Sequence, residues 1–224
     1  MHVLKTDFNG NPNVGLYGFA TDSYCLLSTD MDKRTVAKVE KVLKVPVHQL
    51  NICGTSLVGV FLVGNSDCLL VPSIVFDSEL KKLDSFKIKY KVIKTDHTAL
   101  GNNILCNDVG CLVSQSFSVD EKKHIEHALG VPVHAVKIAD LDVVGSSGVL
   151  NSKGCLLHRD ASGDDLKLVE SVLRVRCDTG TVNMANPFVR SGIIANSNGF
   201  VIGRASGSPE LMNADEVLGF LQNK

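Results

Sequence analysis

The sequence predicts an α/β fold in which five copies of one unit close into a ring. Two recurring positions carry this prediction. The first opens a turn segment, recurs 42 to 45 residues apart, and is filled by Thr21, Asn65, Asn107, Asn151 and Asn196. The second lies six residues earlier in each copy and is filled by Gly15, Gly59, Gly101, Gly145 and Arg190. We call them the asparagine position and the glycine position. A fixed period of this length is typical of repeat architectures.

Each unit begins with three predicted strands. A β-branched strand such as residues 133–138 opens the unit, and an apolar strand such as residues 57–63 follows around the glycine position. The asparagine position then starts a tight chain reversal. Asn favours the first position of a β-turn, and a Gly three residues later tolerates the left-handed backbone conformation there. A second apolar strand, such as residues 155–157, completes a hairpin.

A helix is predicted at the end of each unit. Residues 35–43 and 166–173 carry apolar side chains at helical spacing. Ser118 with Glu121 forms a capping-box pattern, and Ser208 is predicted to cap a helix that has proline at its first position. The unit is therefore strand, hairpin and helix, repeated five times.

The repeats occupy the whole chain, so we expect a single domain over residues 1–224. Its units are residues 1–44, 45–88, 89–130, 131–174 and 175–224. A solenoid would need polar capping repeats at its ends, whereas the first and last units here are as apolar as the others. Closure into a five-bladed α/β propeller is therefore predicted. Glycines would let the innermost strands crowd together, and Arg190 would point into the axial channel or toward a face.

The composition excludes several classes of protein. The chain carries 23 Lys and Arg against 24 Asp and Glu, a formal net charge of −1. A protein that coats nucleic acid by neutralising phosphates should be basic, so that class is disfavoured. No apolar run approaches the roughly 20 residues that span a bilayer, and no signal peptide is visible at the N-terminus. We expect a cytoplasmic protein without a membrane partner.

The seven cysteines raise one enzymatic alternative. Five-bladed α/β propellers host guanidine-modifying enzymes that use a Cys nucleophile with a His and carboxylates. However, Cys25, Cys111 and Cys155 share one repeat position with Leu69 and Phe200, four residues after the asparagine position. A nucleophile should be unique, and a position shared by Cys, Leu and Phe indicates core packing. We therefore predict no catalytic residue, and reduced thiols that do not form a disulfide framework.

Two further clusters have functional alternatives that the sequence leaves open. His124 and His127 lie three residues apart on the third predicted helix, but no third metal ligand is identifiable, so we expect neither a metal nor a cofactor. Six lysines between Lys81 and Lys94 form the one basic stretch. They would be either a phosphate-binding patch or, as we favour, a solvated edge. From the residues alone, the chain is a rigid binding module.

Several segments resemble translation initiation factor six of archaea and eukaryotes. They are Leu57-Val58-Gly59, Thr98-Ala99-Leu100-Gly101-Asn102-Asn103, Val143-Val144-Gly145-Ser146, Gly180-Thr181-Val182-Asn183 and Pro209-Glu210-Leu211. The likeness runs from residue 1 to the last predicted helix. It departs at Arg190 and at residues 186–188. Without the C-terminal tail of the eukaryotic members, the chain is similar to the archaeal form.

The resemblance implies the pentein fold and a monomeric factor that is not an enzyme. Such a factor binds the intersubunit face of the large ribosomal subunit, beside the sarcin–ricin loop and an adjacent ribosomal protein. It sterically blocks the small subunit, takes part in large-subunit maturation, and is released with help from a translational GTPase. The expected contact surface is the residue after each glycine position, with rRNA touched at the rim. These residues are Leu16, Val60, Asn102, Ser146 and Ser191.

Overall fold

Five three-stranded sheets surround a central axis in the computed structural model, which describes residues 1–221. The strands are β1 (Val3–Thr6), β2 (Gly18–Ala20), β3 (Cys25–Leu27), β4 (Val47–Gln49), β5 (Val63–Gly64), β6 (Leu69–Pro72), β7 (Tyr90–Ile93), β8 (Ile104–Cys106), β9 (Cys111–Ser114), β10 (Val133–Val136), β11 (Gly148–Leu150), β12 (Gly154–His158), β13 (Arg176–Gly180), β14 (Ile193–Asn196) and β15 (Gly199–Gly203). Each sheet, or blade, contains a hairpin and one parallel strand. The strand orders are β2-β3-β4, β5-β6-β7, β8-β9-β10, β11-β12-β13 and β14-β15-β1.

The third strand of every blade comes from the next unit of the sequence. In the fifth blade it comes from the N-terminus, where β1 pairs in parallel with β15 from Val3 opposite Phe200 to Thr6 opposite Gly203. The first strand of the chain therefore completes the last blade, and the ring is closed by backbone hydrogen bonds. The predicted α/β propeller of five blades is confirmed. The proposed unit boundaries remain a prediction.

Within residues 1–221, five long helices cover the outside of the ring. They are α1 (Lys33–Leu43), α2 (Asp77–Ser85), α3 (Val119–Leu129), α4 (Gly163–Leu173) and α5 (Ser208–Val217). The capping box of α3 is confirmed, since the Ser118 hydroxyl accepts from the Glu121 amide and the Glu121 carboxylate accepts from the Ser118 amide at 2.7 Å. The predicted cap of α5 is wrong by one residue. Gly207 is the N-cap, and Pro209 follows inside the first turn. The N–H groups of the first turn have no partner within the helix, so the N–H that proline lacks removes no helical hydrogen bond.

The predicted inner strand is also wrong in its first half. The glycine position lies in a four-residue helical turn, and the strand begins only after it. These five inner turns are Val14–Tyr17, Val58–Phe61, Leu100–Asn103, residues 144–147 and Val189–Gly192. A bond from the Leu62 amide to the Val58 carbonyl, 3.0 Å long, closes one of them. A short apolar run has no periodicity that would separate a helical turn from a strand.

The glycine position is a point of close approach between neighbouring inner turns. A methyl group on Gly59 would overlap the carbonyl oxygen of Gly15, one on Gly101 would overlap that of Gly59, and one on Gly145 would overlap that of Gly101. Gly15 meets the carbonyl of Arg190 in the same way, which continues the contact around the ring. At these four positions only glycine allows this packing, so the predicted reason for the glycines is confirmed.

Candidate functional site

The two ends of the axis carry different structural elements. At one end, carboxylates at the starts of helices bind the loops that precede the inner turns. Glu79 of α2 accepts from the amides of Cys53 and Gly54, both at 2.9 Å. Glu210 of α5 accepts from the amide of Ala185 at 2.9 Å. Inner turns, loops and helix N-termini therefore share one surface, which we call the inner-turn face.

The opposite end, the hairpin-turn face, is formed by the hairpin turns and the helix C-termini. Each asparagine of the asparagine position accepts from two amides of its own turn through Oδ1. Its Nδ2 donates to a carbonyl at the C-terminal end of the helix in the next unit. The pairs are Asn65 to Leu129, Asn107 to Leu173, Asn151 to Leu218 and Asn196 to Leu43, at 2.7 to 3.0 Å. One side chain thus stabilises a turn and joins two blades.

The five sequence-predicted contact residues occupy the third place of each inner turn, on the inner-turn face. Leu16, Val60, Asn102, Ser146 and Ser191 are all half-buried. The turns touch one another, since the Ser146 amide donates to the Asn102 carbonyl at 3.1 Å. The structure thus brings these residues together at equivalent positions around the axis. Their role in binding stays a prediction.

The centre of the inner-turn face has almost no charged side chain. Its five segments are residues 13–17, 57–61, 99–103, 143–147 and 188–192, and Arg190 is the only ionisable cation or carboxylate among them. The Arg190 side chain turns away from the surface into the axis, where Nη2 donates to the Leu62 carbonyl at 3.3 Å. Cores of protein–protein interfaces are similarly depleted of charge, so this surface suits a protein partner.

Three exposed apolar side chains lie at the edge of the same face, and sequence analysis missed them. Phe76 at the N-cap of α2 is 57% exposed, Val119 at the start of α3 is 61% exposed, and Met184 in the loop before the fifth inner turn is 82% exposed. An apolar residue at a helix N-cap, where Ser, Thr, Asp or Asn is preferred, is the signal that would have identified Phe76.

An axial cavity of about 270 Å³ lies between the two faces. Gly15 and Arg190 line its inner end, and the asparagine positions line its outer end together with Asp22 and Asp108. The prediction that Arg190 points into the axial channel or toward a face is confirmed for the channel.

The cysteines of the shared repeat position are packed as core residues. Cys25, Cys111 and Cys155 have no exposed surface, and each lies in a different apolar cluster. Burial raises the pKa of the Cys25 and Cys111 thiols, so neither forms a thiolate at neutral pH. Burial, with the Glu79 carboxylate nearby, raises the pKa of the half-buried Cys53 to about 12. These environments work against a nucleophilic role.

The remaining candidate clusters lie on the outer surface. His124 and His127 are exposed, and within residues 1–221 no group of three His, Cys, Asp or Glu could hold a metal ion. The lysines from Lys81 to Lys94 are exposed along α2 and β7, and none of them forms an ion pair with a described residue. None of the helices within residues 1–221 is long and apolar enough to cross a membrane.

Comparison with known proteins gives a match over nearly the whole chain. The model of the eIF-6 family matches residues 3–217. The chain belongs to the eIF-6 family. Relatives named translation initiation factor 6 include those of Thermococcus gammatolerans, 45% identical over 99% of this chain and 100% of that one, and Pyrococcus abyssi, 38% identical with the same coverage. The factor of Methanococcus vannielii is 38% identical over 98% of this chain and 99% of its own.

Matches among solved structures include a mutant DDAH from Pseudomonas aeruginosa in complex with citrulline, with a TM-score of 0.46 and 10% identity, covering 74% of this chain and 67% of that one. Membership of the eIF-6 family rests on the sequence matches alone.

Proposed function

We propose that this chain is a translation factor that binds the large ribosomal subunit on its intersubunit face and sterically prevents association with the small subunit. The proposal includes a role in large-subunit maturation, with release assisted by a translational GTPase. The observation that carries it is the eIF-6 family match over residues 3–217, with full-length relatives named translation initiation factor 6. The factor acts in the cytoplasm as a monomer and not as an enzyme.

The inner-turn face is the proposed docking surface. Its uncharged centre and its exposed apolar edge residues Phe76, Val119 and Met184 support contact with a protein surface. We infer that the partner there is the ribosomal protein beside the sarcin–ricin loop. The exposed lysines from Lys81 to Lys94 lie on the outside of one blade, which we interpret as a solvated edge, and contact with rRNA is limited to the rim of the docking surface.

The test of this proposal is co-sedimentation of the purified protein with large and small ribosomal subunits. We expect binding to the large subunit only, and we expect bound protein to slow subunit joining as followed by light scattering. Asn102→Arg adds a long cation to the centre of the inner-turn face and should weaken binding at least tenfold. The matched control is Asn198→Arg, which adds the same side chain to the hairpin-turn face.

The two variants test which face docks, whereas the wild-type protein tests the proposed function itself. Binding that is lost in Asn198→Arg and kept in Asn102→Arg would move the docking surface to the hairpin-turn face. Wild-type protein that sediments with neither subunit, or with both equally, would refute the proposed function. Circular dichroism and the melting temperature of each variant establish that it is folded.

A further inference from the structure

The Arg190 guanidinium lies on the axis, where its Nε is buried although the residue as a whole is half-buried. Nη2 donates to the Leu62 carbonyl at 3.3 Å, while Nε has no hydrogen-bond partner among residues 1–221. Arg190 forms no ion pair with any residue of the described chain. Buried cations in proteins are normally paired, because an uncompensated charge in a low-dielectric interior is strongly unfavourable. Either a counter-ion or ordered water must therefore meet this group.

The side chain keeps its charge despite this environment. Burial lowers the pKa of Arg190 to about 10, which still leaves the guanidinium protonated at neutral pH. Deprotonation, by which buried lysines and carboxylates avoid this cost, is therefore not open to it.

The two carboxylates that line the cavity are already engaged at its outer end. Asp22 accepts from the Ser197 amide and hydroxyl, both at 2.7 Å. Asp108 accepts from the Ser66 amide at 2.8 Å and hydroxyl at 2.7 Å. These bonds fix both carboxylates at the rim, where each links two hairpin turns, so neither one neutralises Arg190.

Arg190 lines the inner end of the axial cavity. The cavity volume of about 270 Å³ exceeds that of a few water molecules. Apolar side chains, among them Val63, Leu105 and Val149, form much of its wall. A partly apolar wall of this kind suits a small ligand that has one polar end.

We propose that the axial cavity binds a small oxyanion, a carboxylate or inorganic phosphate, on the guanidinium of Arg190. The planar fork of arginine matches both oxyanions. The rim carboxylates Asp22 and Asp108 disfavour a second negative charge, so acetate should bind more tightly than phosphate. The Arg190 side chain turns away from the inner-turn face into the axis, so this site is independent of the proposed function.

The test is the melting temperature in acetate or phosphate, each titrated against chloride at constant ionic strength. A ligand that binds only the folded state raises the melting temperature with the logarithm of its concentration. We expect a rise of roughly 5–10 °C at one hundred times the dissociation constant for a chain of this size. Arg190→Met should abolish the rise, whereas the control Arg34→Met, on the exposed side of α1, should retain it.

Two further measurements keep the proposal falsifiable if Arg190→Met does not fold. Arg190→Gly restores the residue of the other four units and should also abolish the response. In the wild-type protein, the NMR signal of the Arg190 Nε–H should shift on addition of acetate or phosphate. A response to either anion alone identifies which oxyanion binds. A wild-type melting temperature and Nε–H signal that stay constant in both anions, or an equal rise in Arg190→Met, would show that the cavity holds water and overturn the proposal.

Discussion

The side chain of Asn196 joins the last and first blades, and a substitution there tests this joint. Its Nδ2 donates to the Leu43 carbonyl at 2.9 Å and to the Thr21 carbonyl at 3.1 Å. Its Oδ1 accepts from the amides of Asn198 and Gly199 at 3.0 and 3.1 Å. The side chain is only 3% exposed, so bulk water does not reach these bonds in the folded protein. We predict that Asn196→Ala destabilises the ring without altering its core packing.

The magnitude follows from the four bonds. A net hydrogen bond contributes about 1 kcal/mol, and a buried group left without a partner costs about 1–3 kcal/mol. The helix-end carbonyl of Leu43 and the two turn amides would lose a partner, although a water entering the vacated space can meet some of them. We therefore expect Asn196→Ala to lower the free energy of unfolding by about 3–4 kcal/mol.

Asn196→Asp separates the two halves of this interaction, because the new side chain keeps the acceptor and loses the donor. At neutral pH its carboxylate would face two carbonyl oxygens, so the loss should be at least as large as for alanine. Repulsion and burial would raise the pKa of this carboxyl in the folded state. The penalty should therefore be small below the unfolded pKa and grow as the pH rises through the folded value.

Urea unfolding followed by far-ultraviolet circular dichroism measures these losses. Asn198→Ala, in the same turn but with a half-buried side chain, is the control and should cost less than about 0.5 kcal/mol. A loss below about 1 kcal/mol in Asn196→Ala, or an equal loss in the control, would refute the assignment of this asparagine as a joint between blades.

Three other predictions concern the stability of the core, the pH dependence of stability and the salt dependence of subunit binding. Cys111→Ala should lower the free energy of unfolding by about 1–2 kcal/mol and leave subunit binding unchanged; lost binding in a stable variant would restore a functional role for the thiol. Burial lowers the pKa of His158, whose Nδ1 accepts from the Asp160 amide at 3.2 Å. The unfolded chain then binds more protons, so stability should fall as the pH drops below about 6.5, and His158→Gln should flatten that part of a pH-dependent urea titration. Large-subunit affinity should depend weakly on salt, with a log–log slope of magnitude below about 4. A steep slope that collapses when lysines between Lys81 and Lys94 are neutralised would identify that stretch as an rRNA site.

The ring could be predicted from the sequence because its contacts demand particular residue types at fixed spacing. A glycine at the axis and an asparagine in a hairpin turn leave a signature that repeats with the unit. The inner turns were predicted as strands because a short apolar run fits both structures. The second role of asparagine was not predictable. Asn107 meets the Leu173 carbonyl 66 residues away, and no local pattern encodes that pairing.

The candidate docking surface was predicted in part for the same reason. The residue after each glycine position is equivalent in every unit, so Val60 and Asn102 could be placed on one face by counting. Phe76 and Met184 have no equivalent in the repeat, and their exposure depends on loops whose paths only the structure gives. Sequence repetition thus predicts what the blades share, whereas features of a single blade must be read from the fold.

Two interruptions of the repeat determine where this ring departs from fivefold symmetry. Thr21 still forms the hairpin turn, since its hydroxyl accepts from the Ser23 and Tyr24 amides at 3.1 and 3.2 Å. Its side chain has no amide N–H that could donate to a carbonyl at the end of α2. The joint formed by asparagine at four junctions is therefore missing between the first two blades. Arg190 replaces the fifth glycine and supplies the axial cavity with a buried cation. Positions that keep the repeat are already explained by packing, because every blade needs them. A property specific to one part of the ring must come from positions such as these, where the repeat is broken.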